Sequence, residues 1–136
     1  MLGSYRDHLQ AVIGATAAPY GYTLTIWTTG AIVSHAAGAP DSLEAILFLV
    51  GAVCAYACVG AAAHGRVGAV LSLGRSREVR LWGALHFPAI GIAVGEAVMI
   101  ASLVQGRAAF PITSFAVTFT YLTTVAAQFT IADRKG

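Results

Sequence analysis

Four long stretches of apolar residues, separated by short polar segments, dominate the chain. They cover roughly residues 9–37, 43–63, 81–103 and 110–132, and none of them contains Lys or Arg. A helix needs about 20 mainly apolar residues to cross the hydrocarbon core of a bilayer, and each stretch is long enough. The pattern therefore predicts an all-α integral membrane protein, with four transmembrane helices in one compact bundle and a single domain over residues 1–136.

The links between the predicted helices carry residues typical of helix ends. Residues 38–42 are expected to form a turn, in which Asp41 or Ser42 can cap the second helix and Glu44 lies in its first turn. Pro111 lies near the first turn of the fourth helix, where its missing N–H leaves no hydrogen bond unmade. These signals agree with the limits that hydropathy alone indicates.

Composition supports a membrane location. Hydrophobic residues make up 57% of the chain and charged residues only 10%, whereas soluble domains have about 25% charged residues. A soluble fold of this size cannot bury so much apolar surface. The net charge of +2 is small and the basic residues lie in short links, so we expect a lipid bilayer and no nucleic acid as a partner.

The distribution of basic residues predicts the orientation. Of the eight Lys and Arg residues, only Arg107 falls in a link on one side of the predicted membrane. The other side has Arg6, Arg66, Arg75, Arg77, Arg80, Arg134 and Lys135. Basic residues accumulate on the cytoplasmic side, so both termini are predicted to be cytoplasmic, in the plasma (inner) membrane. The four arginines between residues 66 and 80 are expected to enforce this topology, and they can also contact lipid head groups.

Glu96 is the one acidic residue well inside a predicted span. Intramembrane acids are rare and costly, which makes such a residue a candidate for function. Placing the four spans at equal depth puts Tyr22, Thr25, Thr118 and Tyr121 at its height. A carboxyl group among hydroxyls suits a proton-coupled carrier or a cation-binding point, and it equally suits a static interhelical hydrogen bond.

The first and fourth spans are rich in threonine. In the fourth, one face is polar along most of its length, comprising Thr113, Thr120, Thr124 and Gln128. Lipid offers such a face no hydrogen-bond partner, so we expect it to face protein or a hydrated path. Alternatively, each hydroxyl bonds the preceding turn of its own helix.

Small residues and histidines provide two further hypotheses. The pairs Gly91 and Gly95 in the third span, and Gly51 and Ala55 in the second, have the four-residue spacing that lets helices approach closely, within one chain or in a homo-oligomer.

Metal or haem ligation by His64 and His86 would need facing rings on neighbouring helices. No ligand-spacing motif supports it, so no cofactor is expected and haem is only a lesser possibility.

Three functions remain open at this stage. The first is an oligomeric channel or carrier for a small ion or solute, with Glu96 as its titratable residue. The second is a non-catalytic subunit or assembly factor of a larger membrane complex, and the third is a b-type haem or quinone subunit. The chain has no phosphate-binding loop, nucleophile elbow or paired carboxylates, so we do not expect an enzyme.

Overall fold

The computed structural model describes residues 2–64 and 86–134, and this part of the chain is entirely helical. Four α-helices follow in order: α1 over Leu2–Ala37, α2 over Ser42–His64, α3 over His86–Leu103 and α4 over Ala109–Asp133. A 3₁₀ turn at Gly106–Ala108 precedes α4. The prediction of an all-α chain with four helices is confirmed. The first helix begins at Leu2, several residues before the predicted span.

Specific local interactions end α1 and start α2. Gly38 has φ of 95°, a left-handed conformation that suits glycine at a helix C-terminus, and its N–H donates to the Ser34 carbonyl at 3.0 Å. Asp41 then caps α2: its Oδ1 accepts the Glu44 N–H at 2.8 Å, and Glu44 Oε2 accepts the Asp41 N–H at 2.9 Å. This reciprocal pair is a capping box, which confirms the predicted helix start.

Helix α4 is the central element of the described structure. It packs against α2, α3 and α1, and α1 also packs against α3. Among the described residues, α1 and α2 contact each other at few points, and α2 and α3 at few or none. Here α1, α3 and α4 form the packed centre, and α2 is attached mainly through α4.

An alanine face on α3 forms the largest part of the core. Ala89, Ala93 and Ala97 are fully buried and cluster with Val117 and Tyr121 of α4. Alanine at every fourth residue presents a flat, narrow face, so neighbouring backbones can approach closely. A second buried cluster joins α1 to α4 at the end that carries the α1–α2 link, comprising Val33, Ala109 and Phe110.

Two helical segments in the described residues are long and apolar enough to cross a membrane. These are Ser42–Ala62 and Gly106–Gln128; Phe87–Leu103 is equally apolar in character but shorter. The predicted membrane location therefore has partial structural support, from two helices where the sequence predicted four.

Candidate functional site

Glu96 lies on α3 beside the buried alanine face. Its side chain is partly buried, and its Oε2 atom is buried without a hydrogen-bond partner in the part of the chain that the structure describes. Nearly all buried polar groups in proteins are hydrogen-bonded, and an exception calls for an explanation such as a bound water or ion. At this position a water molecule would donate a hydrogen bond to Oε2, and a proton or a cation would bind to it.

A hydroxyl and aromatic cluster lies at the height of Glu96. The Tyr22 hydroxyl and Thr118 Oγ1 share a hydrogen bond of 3.0 Å that joins α1 to α4. The Tyr22 ring also lies 5.7 Å, centroid to centroid, from the rings of Tyr56 and Tyr121. Ala97 and Val117 belong to one buried cluster, and Glu96 and Thr118 are their immediate neighbours in sequence, so these two lie at similar depth.

Thr25, the remaining residue predicted around Glu96, is fully buried but satisfied within its own helix. Its Oγ1 donates to the Gly21 carbonyl at 2.8 Å. Thr29 does the same toward the Thr25 carbonyl at 2.7 Å. The structure therefore brings Tyr22, Thr118 and Tyr121 together, whereas the Thr25 hydroxyl is used in α1.

The polar side chains of α4 divide into two groups. The exposed Thr123 and Thr130 donate to carbonyls of the preceding turn, at 2.8 Å and 2.9 Å. By contrast, Thr113 Oγ1 and Gln128 Oε1 are buried and have no partner among the described residues. The predicted face of Thr113, Thr120, Thr124 and Gln128 is buried or partly buried throughout.

The two predicted small-residue pairs occupy different environments. Gly51 and Ala55 are buried in α2, and a Cβ at Gly51 would overlap Ser114 Oγ and the Pro111 carbonyl oxygen of α4. Gly91 and Gly95 are exposed on α3, and a Cβ at either would meet no atom within 4 Å. Close helix approach within this chain therefore uses Gly51, while the α3 glycines form an open face.

Several predicted residues lie outside what the structure describes. Arg66, Arg75, Arg77 and Arg80 belong to the segment 65–85, and the side chains of His64 and His86 are also outside it. Across residues 2–64 and 86–134, no group of three or more His, Cys, Asp or Glu residues could hold a metal ion. Cys54 and Cys58 are free and exposed.

An ion cluster that the sequence reasoning missed joins two links at one end of the helices. Arg107 Nη2 lies 2.8 Å from Asp41 Oδ2, and Arg107 Nε lies 3.5 Å from Glu44 Oε1. The hydrogen bond from the Glu44 N–H, reinforced by the nearby Arg107 charge, lowers the pKa of Asp41. One sequence signal could have predicted this cluster: the α1–α2 and α3–α4 links carry opposite charges and are expected on the same side of the bundle.

The pattern of residues in the sequence does not predict the open groove between α1 and α2. It has a volume of about 450 Å³ and is lined almost entirely by apolar side chains, with Trp27 and Phe48 on its two sides.

Comparison with known proteins identifies no relative: no protein family, no curated protein and no solved structure matches this chain. Function must therefore be argued from the site itself.

Proposed function

We propose that this chain is a multi-pass protein of the plasma (inner) membrane, with four transmembrane helices. Support comes from the segments Ser42–Ala62 and Gly106–Gln128, which are long and apolar enough to span. The apolar side chains of α2 point mostly outward, and Leu49 and Val53 are more than half exposed. A core helix of a soluble protein would bury such side chains, whereas lipid is a favourable environment for them.

The proposed orientation has both termini in the cytoplasm. In alternating crossings, the α1–α2 link and the α3–α4 link share one side, and the ion pair of Arg107 with Asp41 supports this arrangement. The other side then receives seven of the eight basic residues. By the positive-inside rule, that side is the cytoplasm.

Within this membrane protein we infer a non-enzymatic role, the passage of a small ion or solute past Glu96. The observation that carries this proposal is the buried Glu96 Oε2 atom, which has no hydrogen-bond partner among residues 2–64 and 86–134. An unsatisfied buried polar group costs about 1–3 kcal/mol, and more when it is charged. A carboxyl group that exchanges protons or binds a cation is satisfied by that proton or cation. This accounts for a buried carboxyl group at this position.

The polar interior of the bundle supports a path that reaches Glu96. Tyr22 and Thr118 offer hydroxyl groups at the same depth. Thr113 and Gln128, near opposite ends of α4, each have a buried oxygen without a partner among the described residues. Water between these positions would satisfy both oxygens and would form a hydrated route along α4.

The proposed active form is a homo-oligomer that uses the open face of α3. A Cβ added at Gly91 or Gly95 would meet no atom of the described residues within 4 Å, and glycines at this spacing allow a helix of another subunit to approach closely. A subunit interface there would lie next to Glu96 in sequence and space. Replacing Gly91 by Leu should therefore reduce the mass of the detergent-solubilised complex to that of the monomer.

Flux into liposomes tests the role of Glu96. Purified protein is reconstituted into liposomes that contain a dye selective for H⁺, Na⁺ or K⁺, a potential is imposed, and uptake of the matching ion is measured. Glu96→Gln should abolish uptake of the transported ion, and Glu96→Asp should retain part of it. Cys54→Ala, at an exposed position on α2, is the matched control and should match wild type. Equal flux through wild type and Glu96→Gln would refute the proposal.

The second candidate function is a non-catalytic subunit or assembly factor, because the open Gly91–Gly95 face suits a different membrane protein equally well. Purification under mild detergent separates the two candidates. A stoichiometric partner that is lost in Gly91→Leu, together with no flux in liposomes, would favour the subunit.

A further inference from the structure

The groove between α1 and α2 is an open cavity with an apolar lining. Trp27, Gly30 and Ser34 of α1 line it together with Phe48 of α2 and Phe110 of α4. Along α1 the lining extends from Ile26 to Ser34, or about 12 Å at 1.5 Å per residue. Its volume of about 450 Å³ falls in the range of about 300–1,000 Å³ that is usual for ligand pockets.

Charged residues surround the outer end of this groove. Asp41 follows the lining residue Pro40, Glu44 precedes the lining residue Ala45, and Arg107 lies one helical turn before Phe110. The side chains of Arg107 and Asp41 remain 62% and 49% exposed while they contact each other. Arg107 contacts Asp41 through Nη2 and Glu44 through Nε, so neither of these contacts uses Nη1. Both signs of charge are therefore accessible at the groove mouth.

The cluster has two negative charges and one positive charge, which discriminates between amphipathic ligands. A head group with only a negative charge meets an excess of carboxylate. An ethanolamine phospholipid presents a phosphate that can accept hydrogen bonds from Arg107 and a primary ammonium with three donors for Asp41 and Glu44. We propose that the α1–α2 groove binds one acyl chain of an ethanolamine phospholipid, whose head group is held by Arg107, Asp41 and Glu44.

This inference requires the chain to lie in a membrane but does not require transport. It goes beyond the proposed role of Glu96 because the groove and the carboxyl group lie on different helices. Glu96→Gln should therefore leave lipid binding unchanged, and a chain that conducts no ion would still bind the lipid.

Quenching of Trp27 tests the proposal directly. The chain has two tryptophans, so a Trp82→Phe background leaves Trp27, which is 76% exposed, as the single reporter. Phospholipids with brominated acyl chains are titrated into detergent micelles of the full-length chain. We expect phosphatidylethanolamine to quench Trp27 at a lower mole fraction than phosphatidylglycerol with identical chains.

Variants separate the head group from the acyl chain. Arg107→Gln should raise the half-quenching mole fraction of phosphatidylethanolamine by about two- to fivefold, as expected for the loss of one partly exposed charge contact. Arg134→Gln, an exposed arginine at the opposite end of α4, is the control and should cause no change. Gly30→Leu, which fills the groove toward Phe48, should weaken quenching by both lipids.

Three results would overturn the proposal. Equal quenching by the two lipids would show that the cluster does not select the head group. If Gly30→Leu and Ala31→Phe, a second variant that fills the groove, both leave the quenching unchanged, the lipid binds elsewhere. Shielding of Trp27 that depends on protein concentration and not on lipid would assign the groove to a second copy of the chain. Should Trp82→Phe not fold, mass spectrometry of lipid retained by the wild-type chain from an equal mixture gives the same comparison.

Discussion

Replacing Gly51 by alanine should separate α2 from the rest of the bundle. Gly51 is buried against the first turns of α4, where an added Cβ would overlap both Ser114 Oγ and the Pro111 carbonyl oxygen. Ser114 Oγ itself donates to that carbonyl at 3.2 Å, so the two atoms are held together. The carbonyl belongs to the α4 backbone, and relief of the overlap requires the two helices to move apart.

Two opposing contributions determine the size of the effect. Overpacking of a closely packed site costs about 1–3 kcal/mol. Alanine in place of glycine inside a helix contributes about 0.5–1 kcal/mol in the opposite direction. The control is Gly30→Ala in α1, whose new Cβ would meet only Phe48 Cζ at an ordinary distance of 3.9 Å. It should show the favourable contribution alone, so the two variants should differ in free energy of unfolding by about 1–3 kcal/mol.

Thermal unfolding in detergent measures this difference. The fraction of protein that elutes as a folded species after heating is followed against temperature for wild type, Gly51→Ala and Gly30→Ala. We expect a lower midpoint for Gly51→Ala and an unchanged or higher one for Gly30→Ala. If Gly51→Ala is as stable as Gly30→Ala, the contact of α2 with α4 is not as close as described, and the argument fails.

Two further predictions concern polar residues. Because the pKa of Asp41 is lowered in the folded state, its charge stabilises the fold above the ordinary aspartate value and that contribution is lost as the pH falls below about 4. The difference in unfolding midpoint between wild type and Asp41→Asn, which keeps a capping side chain, should therefore shrink between pH 7 and pH 3; a constant difference would contradict the assignment. Thr118→Val removes the hydrogen bond to Tyr22 and should cost about 0.5–1.5 kcal/mol in the same unfolding assay. Thr113→Val removes a buried hydroxyl that has no partner among the described residues and that the proposed water would satisfy, so it should also be destabilising; a neutral or stabilised Thr113→Val would contradict the hydrated path.

The helix limits were predictable because local chemistry determines them. Gly38 ends α1 through its own backbone conformation, and the capping box of Asp41 and Glu44 starts α2 within four residues. Hydropathy over windows of helical length located both ends of α4 and the C-terminal ends of α2 and α3 to within one residue, but it missed the start of α1 at Leu2. None of these signals requires knowledge of which helices are neighbours.

The partners of each helix were not predictable, because side chains distant in sequence decide them. Gly51 and Gly95 both belong to small-residue pairs at the same spacing, yet one contacts α4 and the other is open. The gap between α1 and α2, and hence the groove beside Trp27, follows from the central place of α4. The ion pair of Arg107 with Asp41 was equally hidden, since 66 positions separate its members.

The dependence of α2 on α4 has a consequence for biosynthesis. Helix α2 ends at His64 and α4 begins at Ala109, so about 45 residues are synthesised between them, which takes about 2–9 s at 5–20 residues per second. During that interval the Gly51 face of α2 lacks its contact with α4, and in the membrane location proposed above it is covered by lipid or by the insertion machinery. Assembly of this protein therefore ends with the displacement of that cover by α4, and a ribosome stalled before α4 would leave α2 as an isolated helix.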